Sequence, residues 1–292
     1  MILGIIKKFI ISPLSFNNKL KVILRFIKWQ ISQSIFQSPI IYNFTQNSKM
    51  IIKKSMTGAT GNLYYGLDEL NDMGFLLHFL RKEDVFIDVG SNVGSYTILA
   101  SAEIGAKTIS IEPVPSTFNF LTDNISLNNI SGLVDAHNIA LGGRNGSIRF
   151  TIHQDTVNHV AINNEKDSIE VQVDTLDSVI RERNPCLIKI DVEGYESEVL
   201  KGADITLKNH SLMALIVELN GSGRRYGFND NDIHQKLIDN GFNPFKYNPF
   251  SRSLFSVEES HNQNIIYIRD VDFALQRVRA ARKIKISNFF DI

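Results

Sequence analysis

The stretch that most constrains this chain of 292 residues is 85–112. An apolar run, Val85-Phe86-Ile87-Asp88-Val89, meets a turn carrying Gly90 and Gly94. An amphipathic segment follows over 96–104, and a second apolar run at 108–111 ends in Glu112. Strand, glycine turn, helix, strand and acid form the layout of a nucleotide-binding βαβ unit. Further apolar runs at 133–137, 187–190 and 212–217 alternate with helical patterns near 113–127, 175–183, 195–201 and 230–240. Such alternation predicts an α/β fold with a mostly parallel sheet and helices on both faces. Runs at 242–247 and 264–269 read as a closing antiparallel pair. Ligands of such sheets sit outside the carboxyl ends of the strands, and Asp88, Glu112, Asp191 and Glu218 all fall there.

The turn itself narrows the ligand. No glycine stands two residues after Gly90, where a dinucleotide pyrophosphate needs close backbone approach. No lysine follows Gly94, so a P-loop is excluded. A nucleoside without phosphate fits better, with Glu112, twenty-two residues past Gly90, placed to accept both ribose hydroxyls.

Four blocks then carry a resemblance. The sequences Asp88-Val89-Gly90-Ser91-Asn92-Val93-Gly94-Ser95-Tyr96-Thr97, Ile111-Glu112-Pro113-Val114-Pro115, Leu121-Thr122-Asp123-Asn124-Ile125-Ser126-Leu127-Asn128 and Lys189-Ile190-Asp191-Val192-Glu193-Gly194 together resemble the FkbM-type methyltransferases. The likeness spans roughly residues 80–220. It implies a Rossmann-like class I methyltransferase fold with a seven-stranded sheet, S-adenosylmethionine as cofactor, and methylation of a hydroxyl, often on a sugar of a glycan, glycolipid or natural product. By position, Asp88, Gly90, Ser91, Asn92 and Gly94 are expected to cradle the methionine part, Glu112 the ribose, and Ala140, in the turn after the third strand, to lie near the adenine. The family pattern often has alanine where Ser91 stands.

Methyl transfer to an alcohol needs a group that takes the hydroxyl proton. Asp191 and Glu193, two apart beyond the fourth strand, are the expected candidates, and Lys189 shares their alternation if the strand continues. The alternative is that Glu193 caps the next helix and Asp191 organises the turn. Clustered carboxylates also suit magnesium, but no other ligands support one, and no metal ligand is assigned. His153, Asp155 and His159, in the polar part of a β-hairpin expected over 147–173, read as solvated loop positions. Arg224, Arg225 and Tyr226 can meet a sugar or phosphate acceptor or simply be surface groups. His78, His234 and Trp29 read as structural, and Cys186 as a core residue.

Three segments are expected: a basic amphipathic extension over 1–54, a methyltransferase domain over 55–270 with its inserted hairpin at about 146–173, and a basic tail over 271–292. Net charge is zero, which removes any general pull toward nucleic acid. Positive charge is nonetheless concentrated, since the nine lysines and arginines before Asp68 face no aspartate or glutamate in that stretch. A helix over 19–36 would align Leu20, Ile23, Leu24, Ile27, Ile31 and Ile35, either against the domain or on an anionic membrane. Residues 57–65 read as a loop or short hairpin. A single cysteine excludes an intrachain disulfide, and a cytoplasmic location is the expectation, peripheral at the inner membrane face in the case where that helix meets lipid. The competing readings are a dinucleotide-dependent oxidoreductase and a non-catalytic membrane-associated protein.

Overall fold

The structure, a computed structural model, describes residues 24, 27, 29–31, 38–53, 56–152, 158–162, 165, 167–257, 263–287 and 289–292. Strands β1 (Ile40–Asn43) and β2 (Lys49–Ile52) are followed by helices α1 (Thr57–Tyr65) and α2 (Leu70–Phe79). Then come β3 (Val85–Val89), α3 (Ser95–Ile98, widening into a π-helical turn at Leu99–Ile104), β4 (Lys107–Ile111), α4 (Pro115–Leu127) and β5 (Val134–His137). The next elements are β6 (Ala140–Leu141), β7 (Gly146–Thr151), β8 (Ser168–Asp174), α5 (Leu176–Ile180) and β9 (Leu187–Ile190). They lead to α6 (Glu196–Lys201), α7 (Asp204–Lys208), β10 (Ala214–Leu219), a 3-10 turn (Ser222–Tyr226) and α8 (Asp230–Asp239). The chain closes with β11 (Asn243–Asn248), β12 (Ser253–Ser256), β13 (Gln263–Ile268), α9 (Val271–Ala280), β14 (Lys285–Ile286) and β15 (Phe290–Asp291).

The central sheet has the order β12-β11-β13-β10-β9-β3-β4-β5. Strands β10, β9, β3, β4 and β5 run parallel, and β13 pairs antiparallel with both β10 and β11. The seven expected strands are all present, and β12 adds an eighth at one edge. The period of two along each strand divides its apolar side chains between two cores. Phe86, Leu187, Ala214, Ile216, Ile266 and Ile268 join α2, α3, α4 and α9 on one face. Ile87, Val89, Ile188, Ile190, Leu215 and Val217 join α5 to α8 on the other. Full burial of each such aliphatic stabilises by roughly 1.5–3 kcal/mol. After β3 the chain winds outward through β4 and β5 and returns to β9 on the other side of β3, so the switch point lies between the ends of β3 and β9.

Several expectations change. Residues 57–65 are a helix, not a loop, because close packing overrides the glycine propensity. A Cβ on Gly61 would sit 2.3 Å from the Asp68 carboxyl, so only glycine lets α1 approach there. The segment 271–292 is no free tail: Ala274, Val278, Ile284, Ile286 and Ile292 are buried, and β14 pairs with β15. The inserted hairpin forms as β7 and β8, joined by β6 alongside β8. Within the expected extension, β1 and β2 form a hairpin docked on α4, where Asn124 and Asn128 accept from the Ile51 and Lys49 amides at 2.7 and 2.8 Å. Buried Glu103 ties the same region to the C-terminal segment by accepting from Thr45, Asn47 and Arg282. Of the aliphatic stripe expected over 19–36, Leu20, Ile23 and Ile35 lie outside the described residues. Trp29 is buried, whereas Leu24, Ile27 and Ile31 are exposed.

Candidate active site

The turn after β3 is built by close approach. Gly90 and Ser91 amides both donate to the Ile111 carbonyl at 3.0 Å, and the Asp191 amide donates to Val89 O at 3.1 Å. This draws the ends of β3, β4 and β9 together. Gly90 has φ +76°, and a Cβ there would lie 1.8 Å from the Asp191 carbonyl oxygen. Asn92 also takes positive φ, +51°, with its side chain accepting from the Val93 amide at 2.7 Å. Gly94 lets α3 begin against Leu121, whose Cδ1 would be 2.6 Å from any Cβ.

Two acids flank the turn. Asp88 is 1% exposed; Oδ2 accepts from Thr97 Oγ1 at 2.6 Å, while Oδ1 is buried with no hydrogen-bond partner. Burial pushes its carboxyl up, Lys189 opposing. Glu112 accepts from the Asn92 amide at 3.0 Å and the Val114 amide at 2.9 Å. One oxygen serves each bond, so each retains a lone pair for a further donor. Burial raises Glu112 to about 7. An orphaned buried oxygen and a carboxylate with spare acceptor capacity suit a ligand bearing an ammonium and a ribose diol, as S-adenosylmethionine does. Asp88 and Glu112 are the residues that would hold it.

Beyond β9 the acids gather. Val217 pairs with Ile190 in parallel register, which places Glu218 beside Asp191. Lys189, 3% exposed, donates to Asp191 Oδ2 at 2.6 Å and lies 4.8 Å from the Tyr96 ring centre. Burial works against its ammonium, but the carboxylates of Asp191, Glu69 and Asp88 prevail and hold its pKa above the ordinary value. Carboxylate oxygens of Asp191, Glu193 and Glu218 lie within 4.8 Å of one another. Burial first, then the Asp191 charge, raises Glu193 to about 7 and Glu218 to about 9. Glu218 Oε2 has no hydrogen-bond partner. Three carboxylates so spaced are a set that can take a divalent cation, although the Lys189 ammonium already occupies one oxygen of Asp191.

The structure brings Asp88, Gly90, Ser91, Asn92, Glu112, Ala140, Lys189, Asp191 and Glu193 to the lining of one cavity of about 330 Å³, a size in the usual range for small-molecule sites. Gly94 stands just behind it as the start of α3. The strand ends at Ile190, so the condition for a shared alternation is not met; the backbone takes φ +53° at Glu193 and +100° at Gly194. Capping of the turn falls to Glu196, whose Oε1 accepts from the Val192 and Gly194 amides at 3.1 and 3.0 Å. Glu193 is thereby left to the cavity. His153 and Asp155 lie outside the described residues, and His159 is buried with Nε2 3.5 Å from Glu165, not solvated. His78 and His234 meet the Tyr247 and Tyr267 hydroxyls at 2.7 and 3.0 Å, and Cys186 is buried. Arg224 and Arg225 are exposed, while the Tyr226 hydroxyl donates to Val160 O at 2.7 Å.

Sequence reasoning missed the opposite wall. Tyr96 donates to Glu69 Oε2 at 2.7 Å, and Asn264 donates to Glu69 Oε1 and Asp72 Oδ2 at 3.0 and 3.2 Å. Burial and the Glu69 charge raise Asp72 to about 7. No local pattern marks these residues, since the helix periodicity of α2 signals only its apolar side.

Residues 88–244 match the Methyltransferase FkbM domain. The chain belongs to the FkbM methyltransferase family. It is 31% identical over 147 residues to Hexuronic acid methyltransferase AglP of Haloferax volcanii, a match covering 49% of this chain and 59% of that protein. It is 32% identical over 149 residues to Methyltransferase 1 of Beauveria bassiana, covering 42% of this chain and 59% of the relative. The chain therefore spans less than two thirds of the length of these curated relatives. The FkbM methyltransferase structure from Methylobacillus flagellatus aligns at 16% identity with a TM-score of 0.46, covering 77% of this chain and 56% of that one. Membership of the FkbM family implies S-adenosylmethionine as methyl donor.

The FkbM site also sets a pH dependence. The folded-state pKa values of Glu112, Glu193 and Glu218 lie above the ordinary 4.5, at about 7, 7 and 9. Folding therefore takes up protons; this stabilisation is complete below the unfolded value and is lost as pH rises through 7 and on to 9. The ligand-free protein is expected to melt several degrees lower at pH 9 than at pH 6, roughly 2–4 °C per kcal/mol at this chain length. Glu218→Gln should shrink that difference in a thermal scan at both pH values. An unchanged difference would show that Glu218 does not bind the proton.

Proposed function

We propose that this FkbM-family chain is an S-adenosylmethionine-dependent O-methyltransferase whose acceptor is a hydroxyl on a sugar-containing molecule. The observation that supports it most is the meeting of Lys189, Asp191, Glu193 and Glu218 in the cavity that also holds the Gly90 turn and Glu112. The relative named as a hexuronic acid methyltransferase supports a sugar acceptor.

When bound, S-adenosylmethionine supplies an electrophilic methyl group on a sulfonium, which must be approached in line. As the oxygen–carbon bond forms and the methyl–sulfur bond breaks to leave a neutral thioether, the acceptor hydroxyl loses its proton to the protein. Glu218 takes that proton, because burial first and then the charges of Asp191 and Glu193 make it the more basic carboxylate. Asp191, held by Lys189, accepts from a neighbouring hydroxyl of the acceptor and so orients the reacting one. Positive charge brought into the cavity relieves the repulsion among these acids, so Glu218 sheds its own proton as the donor binds.

Incubation with methyl-labelled S-adenosylmethionine and fractionated cell glycans or glycolipids, read by mass spectrometry, should place label on a sugar hydroxyl. Glu218→Gln is expected to slow that transfer by about 100-fold or more, while calorimetry still shows donor binding but without the proton release that Glu218 supplies. Tight nicotinamide dinucleotide binding without S-adenosylmethionine binding would sink the proposal. Label on a carboxyl oxygen would retain a methyltransferase but refute the hydroxyl acceptor.

A further inference from the structure

The helical residues near the N-terminus face two ways. Trp29 is 5% exposed, whereas Leu24, Ile27 and Ile31 are 55%, 46% and 55% exposed. At about 100° per residue, positions 24, 27 and 31 share one side of a helix and position 29 lies across from them. Trp29 belongs to the core that contains α1 and α2, and Gln30 hydrogen-bonds the Tyr64 hydroxyl on α1. The inward side is thus anchored to α1, whose Ala59 lines the cavity. The outward side is aliphatic.

We propose that this outward face docks on the surface of an anionic phospholipid bilayer. Scattered exposed aliphatics need no explanation, but three on one helical side form a stripe. Its chemical setting selects the occupant. The first sixty-seven residues contain nine lysines and arginines and no acid, although the whole chain is balanced at net zero. A protein partner would accept the stripe without requiring an acid-free stretch of that length; a surface of phosphate headgroups requires both. No described helix is long and apolar enough to cross a membrane; the contact proposed is that of a helix lying in the plane of the headgroups. The inference goes beyond the reading of the cavity and is independent of which acceptor is methylated.

The test is co-sedimentation of the full chain with vesicles of phosphatidylcholine alone, or mixed equally with phosphatidylglycerol. Binding is expected only to the anionic vesicles, and raising salt to about 0.5 M should weaken it through screening. The double variant Leu24→Glu/Ile27→Glu should lower the bound fraction about tenfold or more, with the circular dichroism spectrum and calorimetric S-adenosylmethionine binding preserved. Leu24→Ala/Ile27→Ala should give a smaller loss in the same direction. Absent binding, equal binding to neutral vesicles, or binding untouched by the glutamates would overturn the proposal. So would a dimer that the double variant dissolves while vesicles bind neither protein. Failure of the wild-type chain to bind S-adenosylmethionine would count against the enzymatic reading and leave this one standing.

Discussion

Gly90→Ala is expected to abolish S-adenosylmethionine binding and to destabilise the protein by about 2–4 kcal/mol. Two effects add. The backbone at Gly90 has φ +76°, where an L side chain costs roughly 1–2 kcal/mol. The new methyl would also sit 1.8 Å from the Asp191 carbonyl oxygen. That oxygen belongs to backbone, and its residue is tied to β3 through the Asp191 amide and Val89 O. It cannot yield without parting β3 from β9, whose register aligns the acids at the switch point. Gly241→Ala supplies the control, because Gly241 has φ +85° but nothing within 4 Å of the place its new methyl would take. That variant should lose only the strain of about 1–2 kcal/mol and keep its ligand affinity. Denaturant titration and calorimetry on both variants decide the matter; matching behaviour would show that the close approach is unimportant.

Lys189→Met is expected to cost about 3–5 kcal/mol at pH 8 and to eliminate methyl transfer. Methionine fills similar space, so packing changes little. The loss is electrostatic, since the ammonium 2.6 Å from Asp191 is the charge that offsets Asp191, Glu69 and Asp88 in the buried wall. Although burial penalises Lys189, its raised pKa shows that attraction outweighs desolvation. Removing it leaves carboxylates unpaired, and they respond by binding protons. The deficit should therefore shrink as pH falls from 8 to 5. Adding Asp191→Asn to Lys189→Met should recover part of the stability, because the two residues interact directly. Equal deficits at both pH values would assign the loss to packing instead.

The readable parts of this protein were those set by local periodicity. Alternating apolar runs mark the parallel strands, and Gly90 with Glu112 mark a turn and an acid that meet in one cavity, since both follow from backbone rules that act within thirty or so residues. The α1 segment misled because Gly58 and Gly61 resemble turn residues in isolation, while the packed Asp68 carboxyl requires a glycine. Glu193 and Glu196 look interchangeable in sequence. Only the hydrogen bonds from the Val192 and Gly194 amides to Glu196 and the place of Glu193 in the cavity lining tell the two apart.

By itself, then, the sequence determined the order of the parallel strands and the helices between them, the glycine turn, and the placement of acids at strand ends, because side-chain period and turn chemistry are written in adjacent residues. The tertiary structure decided which of those acids act together. Sheet register sets Glu218 beside Asp191, and helix packing brings Glu69 and Tyr96 to the facing wall. It also decided that Trp29 points inward while Leu24 and Ile27 point out. Contacts of this kind join residues far apart in the chain, and their energies depend on burial and distance that no local pattern encodes.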